Sequence, residues 1–243
     1  MLPGEARRRR LAPPLCFTAL VLLTAWAAAL WLGLELTPAV DDFRQRLAAV
    51  YEEHGLRPVS LEQVPDNFSA GLIAIEDERF YQHHGIDTQG LTRALLADLY
   101  HRRALEGAST LSQQLIKNLY LDGDDDGWRK PEDLLLALKL EARYSKHEIL
   151  AAYLNSVYYG HGAWGLDQAA RTYFHIRTDQ LDLAQSAMLA GLPQSPSYYD
   201  LYKNPCAARA RQYAVLNQMQ HDGYISAASA RSAYAEKLGF PCT

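Results

Sequence analysis

The pattern of hydrophobic and polar positions opens with an uncharged run from Leu11 to Leu34, directly behind Arg7, Arg8, Arg9 and Arg10. As a helix rising about 1.5 Å per residue, Leu15 to Leu34 alone reaches roughly 30 Å, the thickness of a bilayer's hydrocarbon core. Trp26 and Trp31 lie near its far end, where amphipathic rings suit the membrane interface. The arginines should stay on the cytoplasmic side, which places the chain after about Leu36 on the other. A cleaved signal peptide is the alternative, because Ala25-Trp26-Ala27 and Ala27-Ala28-Ala29 resemble cleavage sites. The apolar run exceeds the roughly 7–15 residues usual there, so an uncleaved anchor over 11–36, behind a basic tail of 1–10, is the preferred reading.

Further along, the pattern becomes helical almost throughout. Asp41 to His54 is amphipathic and helical, within a linker of 37–54, and Arg57-Pro58 to Asn67 connects onward with room for a short strand. Ser145-Lys146-His147-Glu148 is a capping box that predicts a helix toward Tyr159, with Gly160 ending it. Asp182-Leu183-Ala184-Gln185 is a second box, whose helix should stop at Gly191. Pro205 suits the first turn of a helix to about Gln220. The strand–helix alternation that a parallel sheet needs is missing. The fold class is mainly α, with a domain over 55–220 and a helical tail over 221–243.

With 49% hydrophobic and 21% charged residues, the 243-residue chain is globular in composition. Its net charge of −4 gives no reason to expect a nucleic-acid partner. Cys16 lies in the apolar run, while Cys206 and Cys242 lie beyond it. An oxidising compartment permits a Cys206–Cys242 disulfide, but sequence cannot supply the required geometry.

Three stretches carry candidate chemistry. In the first, an apolar run from Gly71 ends in Glu76, Asp77 and Glu78, followed by Phe80-Tyr81, His83-His84 and Gly85. A carboxylate closing a buried segment loses hydration, which suits it to proton transfer; the bland alternative is a solvated helix end. The second runs from Gly107 to Asn118. Leu111, Leu115 and Leu119 form one helical stripe, and Thr110, Gln113, Gln114, Lys117 and Asn118 occupy the opposite arc. That arc has amides, a hydroxyl and one cation, but no acid. It suits an anionic, hydroxyl-rich ligand, and the helix N-terminus near Ser109 adds free N–H groups; packing against a neighbouring loop is the alternative. In the third, Arg129 and Lys130 could neutralise phosphate, while Glu132 and Asp133 suit a helix's first turn.

In order and spacing, these stretches resemble the motifs of the family-51 glycosyltransferases, which include monofunctional peptidoglycan glycosyltransferases and the transferase half of class A penicillin-binding proteins. E-D-x-x-F-x-x-H-x-G is met by Glu76, Asp77, Phe80, His83 and Gly85. G-[GA]-S-T-x-[ST]-Q-Q-x-x-K-N is met by Gly107 through Asn118, and Arg129-Lys130 opens R-K-x-x-E. A fourth block spans Ile149 to Phe174, and a fifth joins Leu189-Ala-Gly-Leu-Pro193 to Arg211, Val215 and Met219. The resemblance covers about residues 55–220. It implies a lysozyme-like helical domain with a smaller membrane-proximal lobe, held on the periplasmic side of a bacterial inner membrane. It also implies polymerisation of lipid II into glycan strands with release of undecaprenyl pyrophosphate, and other cell-wall synthases as partners. Glu76 and Asp133 would be catalytic. Asp77, His83, Ser109, Thr110, Gln113, Gln114, Lys117, Asn118, Arg129 and Lys130 would bind substrate. No tightly bound cofactor is implied, although a divalent cation, Mg or Mn, is used by many relatives.

The chain also departs from the pattern. Asp133 stands where R-K-x-x-E has glutamate, one methylene shorter. Asp125 replaces an arginine usual in the preceding loop, Ala151 a glutamate, and Gln185 another. Asp122, Asp124 and Asp126, with Asp133 at the closing position, resemble a calcium loop, although Arg129 and Pro131 fit one poorly. These departures keep open a membrane-anchored pseudoenzyme that binds lipid II or a synthase without turnover. A glycan-cleaving enzyme on the same fold is a third reading, which the Ser109–Asn118 motif disfavours. No Ser-x-x-Lys or Lys-Thr-Gly occurs, so no transpeptidase half is expected in this chain.

Overall fold

The computed structural model describes residues 12–93, 109–121 and 130–242, side chains from residue 17 onward and not that of Lys130. Two compact units emerge, one ending at Ala39 and one beginning at Val40. The first is essentially one helix, α1 (Ala12–Leu36). Its segment Phe17–Leu36 has a mean hydropathy of 2.0 and is long and apolar enough to cross a membrane. Phe17, Leu22, Leu23, Trp26 and Trp31 are exposed along it. So continuous an apolar surface is unfavourable in water, and the helix is consistent with a membrane anchor.

The second unit is helical, and no strand forms among the described residues. It comprises α2 (Phe43–Glu53), α3 (Asp66–Glu76), α4 (Leu111–Tyr120), α5 (Lys130–Arg143), α6 (Lys146–Ser156), α7 (Gly165–Phe174), α8 (Leu183–Ala190), α9 (Pro205–His221) and α10 (Ala227–Ala235). Helix α3 packs on α8 and α9, and α4 on α5 and α6. The core joins Phe68 and Leu72 of α3 to Ala187, Met188, Val215 and Met219, all at most 2% exposed. Gly71 brings α3 close, since a Cβ there would stand 3.3 Å from Met219 Sδ and 3.4 Å from Ala190 Cβ.

From Val40 onward the expected linker belongs to this unit, as does the expected tail. Phe43 of α2 is buried against the Tyr144 ring, with centroids 4.6 Å apart. At the other end, Ala230 and Ala233 of α10 join the core. Cys242 returns to α9 through a disulfide with Cys206, Cα atoms 4.8 Å apart.

Both capping boxes form. Ser145 Oγ accepts from Glu148 N at 3.2 Å, and Asp182 Oδ1 accepts from Gln185 N at 2.8 Å. Two local expectations fail. Helix α6 ends at Ser156 rather than near Tyr159, because Val157 turns extended and Tyr158 pairs with Trp164 in an antiparallel bridge. Gly160 closes that loop at φ +88°, where a Cβ would lie 2.6 Å from Pro196 O. The short strand expected near Pro58 is an extended segment without a strand partner. The Asn155 amide substitutes for one, accepting from Val59 N at 2.9 Å and donating to Val59 O at 2.8 Å.

The disulfide closes a loop of sequence separation 36, which chain-entropy reasoning values at about 2–4 kcal/mol. Reduction should therefore lower the thermal unfolding midpoint of the domain, measured by circular dichroism with and without dithiothreitol.

Candidate functional site

Helix α3 carries Glu76 at its last residue and Asp77 as its C-cap, and the break in helical geometry sends these adjacent acids to different partners. The Glu76 side chain is only 6% exposed. Arg211 of α9 donates from Nη2 to Glu76 Oε1 at 2.8 Å, and Gln114 of α4 donates from Nε2 to Oε2 at 3.0 Å. Tyr153 of α6 donates its hydroxyl to Gln114 Oε1 at 2.7 Å. The Arg211 Nε donates to Gly191 O at 3.2 Å, at the end of α8. Gly191 makes room for this, because a Cβ there would lie 2.7 Å from Arg211 Cγ. Five helices thus converge on one carboxylate.

Burial raises the Glu76 pKa above the usual glutamate value. The Arg211 charge opposes this most strongly, followed by hydrogen bonds from Gln114 and Arg211, while the Asp77 charge pushes the same way as burial. The result is a carboxylate with heightened proton affinity, anchored at both oxygens yet retaining lone pairs for another donor.

Asp77 points the other way. Its Oδ1 accepts from His83 Nε2 at 2.8 Å, and its Oδ2 accepts from Leu111 N, at the start of α4, at 2.9 Å. A carboxylate at a helix N-terminus is favoured electrostatically. On the far side of the ring, Lys146 Nζ lies 3.4 Å from His83 Nδ1 and 2.6 Å from Glu141 Oε2. Asp77 and His83, which the resemblance places at the substrate, have buried polar atoms that here join α3, α4 and α6.

Thr110 and Gln113 are redirected similarly. Thr110 caps α4, accepting from Gln113 N at 3.2 Å, and its hydroxyl donates to Gly85 O at 2.8 Å. The Gln113 amide oxygen reaches back to Thr110 N at 2.9 Å. This is a T-x-x-Q capping box, a local signal that the sequence also carries. Gly85 fits at φ +81°, where a Cβ would strike Ala137 O at 2.8 Å. Leu111, Leu115 and Leu119 are buried as expected, together with Ser112 and Ile116. Ser109 and Asn118 are exposed, and Lys117 is half-buried one turn beyond Gln114.

Asp133 is half-buried in the first turn of α5. Gly107, Asp122, Asp124, Asp125, Asp126 and Arg129 lie outside the described residues, as does the Lys130 side chain. Among the described residues, no three His, Cys, Asp or Glu side chains gather as metal ligands.

Arg211 was matched to the fifth motif but not counted among the site residues. A signal was available: it falls on the face of α9 that buries Ala208, Gln212, Val215 and Met219, where a cation needs a buried anion.

The family model described as Transglycosylase matches residues 44–220, a span containing every one of these groups. The chain belongs to the transglycosylase family. A Cupriavidus necator protein provisionally named a transglycosylase is 39% identical over 222 residues, covering 91% of this chain and 96% of its own. Penicillin-binding protein 1A of Escherichia coli is 41% identical over 180 residues, covering 74% of this chain and 21% of that protein. Penicillin-binding protein 1F of Bacillus subtilis is 38% identical over 200 residues, covering 82% and 28%. This transglycosylase chain therefore spans about a quarter of those penicillin-binding proteins. The crystal structure of penicillin-binding protein 1A from Haemophilus influenzae aligns over 75% of this chain and 18% of its own, with TM-score 0.46 and 22% identity.

Replacing Arg211 with Gln removes the strongest influence holding the Glu76 carboxyl ionised, so its titration midpoint should move to higher pH. Side-chain carbon NMR of labelled glutamate reads this directly, and an unchanged or lower midpoint would contradict the assigned electrostatics.

Proposed function

We propose that this transglycosylase-family enzyme is a membrane-anchored peptidoglycan glycosyltransferase that polymerises lipid II and releases undecaprenyl pyrophosphate. The observation that carries this reading is the buried Glu76 carboxylate, raised in pKa by desolvation and clamped between Arg211 and Gln114. Glu76 takes the proton from the acceptor sugar's 4-hydroxyl as that oxygen attacks the donor's anomeric carbon. A base so placed contributes about 10²–10⁴ in rate. The departing pyrophosphate carries the developing charge, which Lys117, Arg129 and Lys130 neutralise, with Ser109 and Asn118 as polar contacts. Gln114 holds the base. Thr110, Gln113, Asp77 and His83 hold the helix that presents Gln114 and Lys117.

Asp133 acts beside the pyrophosphate and sugar from the first turn of α5. Its shorter side chain is what favours the second reading, a lipid II–binding protein with impaired turnover. A misplacement of about 1 Å can cost on the order of 10²-fold.

In this proposal α1 spans the bacterial inner membrane with the arginine-rich tail inside and the transglycosylase domain in the periplasm. The anchor then holds the site beside a substrate whose lipid tail is itself in the bilayer. Other cell-wall synthases working on the same strands are the natural partners.

Purified full-length protein incubated with labelled lipid II should yield long glycan chains, and Glu76→Gln should slow their formation by about 10²–10⁴-fold. Asp133→Glu should match or exceed the parent rate, while Asp133→Ala should fall well below it. Lipid II binding without polymer would replace the enzymatic reading with the pseudoenzyme, and shortening of preformed glycan would indicate cleavage.

A further inference from the structure

Among the described residues Glu76 has two hydrogen-bond partners, and one of them can face it in two ways. Rotating the Gln114 amide by half a turn exchanges its NH₂ and its oxygen. In one orientation the NH₂ donates to the carboxylate. In the other, the carbonyl oxygen confronts the carboxylate oxygen, a repulsion that disfavours ionisation. Arg211 cannot choose between them, because it contacts the other oxygen, Oε1.

Tyr153 can choose. It is fully buried, and its hydroxyl lies 2.7 Å from Gln114 Oε1. A phenol has one proton, and burial together with the nearby Glu76 charge holds the Tyr153 pKa well above its ordinary value. The hydroxyl therefore keeps its proton, and the amide oxygen accepts it; a flipped NH₂ could only donate to the phenol oxygen, and the phenol proton would lose this acceptor. That favours the orientation with the amide NH₂ on Glu76 Oε2, 3.0 Å away. Donation into the carbonyl also polarises the amide, strengthening the N–H bond on its far side.

We propose that Tyr153 is a positioning residue for the transglycosylase reaction, acting through Gln114 to keep the Glu76 carboxylate ready to accept a proton. It does not touch the reacting atoms. This rests on the reading of Glu76 as the general base. The titratable and charged groups acting on Glu76 are Arg211 from α9 and Asp77 next in the chain, while the Glu76 charge acts in turn on Tyr153. Lys117 lies one turn beyond Gln114 on α4.

The test is a double-mutant cycle in the full-length protein with Tyr153→Phe, Gln114→Ala and both together. Two readouts are taken: lipid II polymerisation across pH, and the Glu76 titration midpoint by side-chain carbon NMR. Tyr153→Phe should lower kcat about tenfold with KM changed less than twofold, and shift both the acid limb of the rate profile and the Glu76 midpoint to higher pH. In the Gln114→Ala background, Tyr153→Phe should add little, because the group it orients is gone. Additive losses, or an unmoved midpoint in folded Tyr153→Phe protein, would overturn the relay. If the parent protein makes no polymer while Tyr153→Phe still shifts the Glu76 midpoint, the relay stands and the enzymatic reading falls. Thermal unfolding of each variant separates loss of fold from loss of positioning.

Discussion

The contact between Arg211 and Glu76 governs the domain's interior. Both side chains are nearly removed from solvent, at 12% and 6% exposure. Two charges so buried cost several kcal/mol each in desolvation, and removing one partner from such a pair typically costs about 3–5 kcal/mol. Each side chain therefore offsets the cost of burying the other. The pair also joins the end of α3 to the middle of α9, while Arg211 extends to the end of α8 through Gly191 O. The closely packed trio α3, α8 and α9 is a frame built around one carboxylate.

Opposite that frame, a second polar system sets where α4 begins. Asp77 holds the Leu111 N–H, His83 holds Asp77, and Lys146 bridges His83 to Glu141. Glu141 in turn accepts the hydroxyl of Ser112, in the first turn of α4. These groups are wholly or partly buried and linked to one another by hydrogen bonds and the Lys146–Glu141 ion pair, and such linked polar interiors rigidify a structure. Their effect is to present Gln114 and Lys117 at fixed positions. Several motif residues that look like ligand contacts are thus hydrogen-bonded within the domain, around the start of α4.

Much of the fold was legible because its signals are local. A charge-free run behind four arginines predicts α1, and capping boxes at Ser145 and Asp182 predict where α6 and α8 start, because each depends on groups three residues apart. The Gly160 signal misled about the end of α6 for a non-local reason: that glycine serves a tight loop pressed against Pro196 O. The extended segment at Val59 likewise finds its partner in Asn155, 96 positions away.

Sequence by itself determined the helical class, the apolar anchor, the order of the motifs and Glu76 as the residue to examine. Each follows from neighbouring residues or from a spacing that survives without a fold. Only the tertiary structure decided that Arg211, 135 positions from Glu76, is its countercharge, that Tyr153 donates to Gln114, and that Asp77, His83, Thr110 and Gln113 are hydrogen-bonded around the start of α4. The reason is physical. A side chain's protonation and direction are set by whichever groups packing brings within about 3 Å, and chain separation says nothing about which groups those will be.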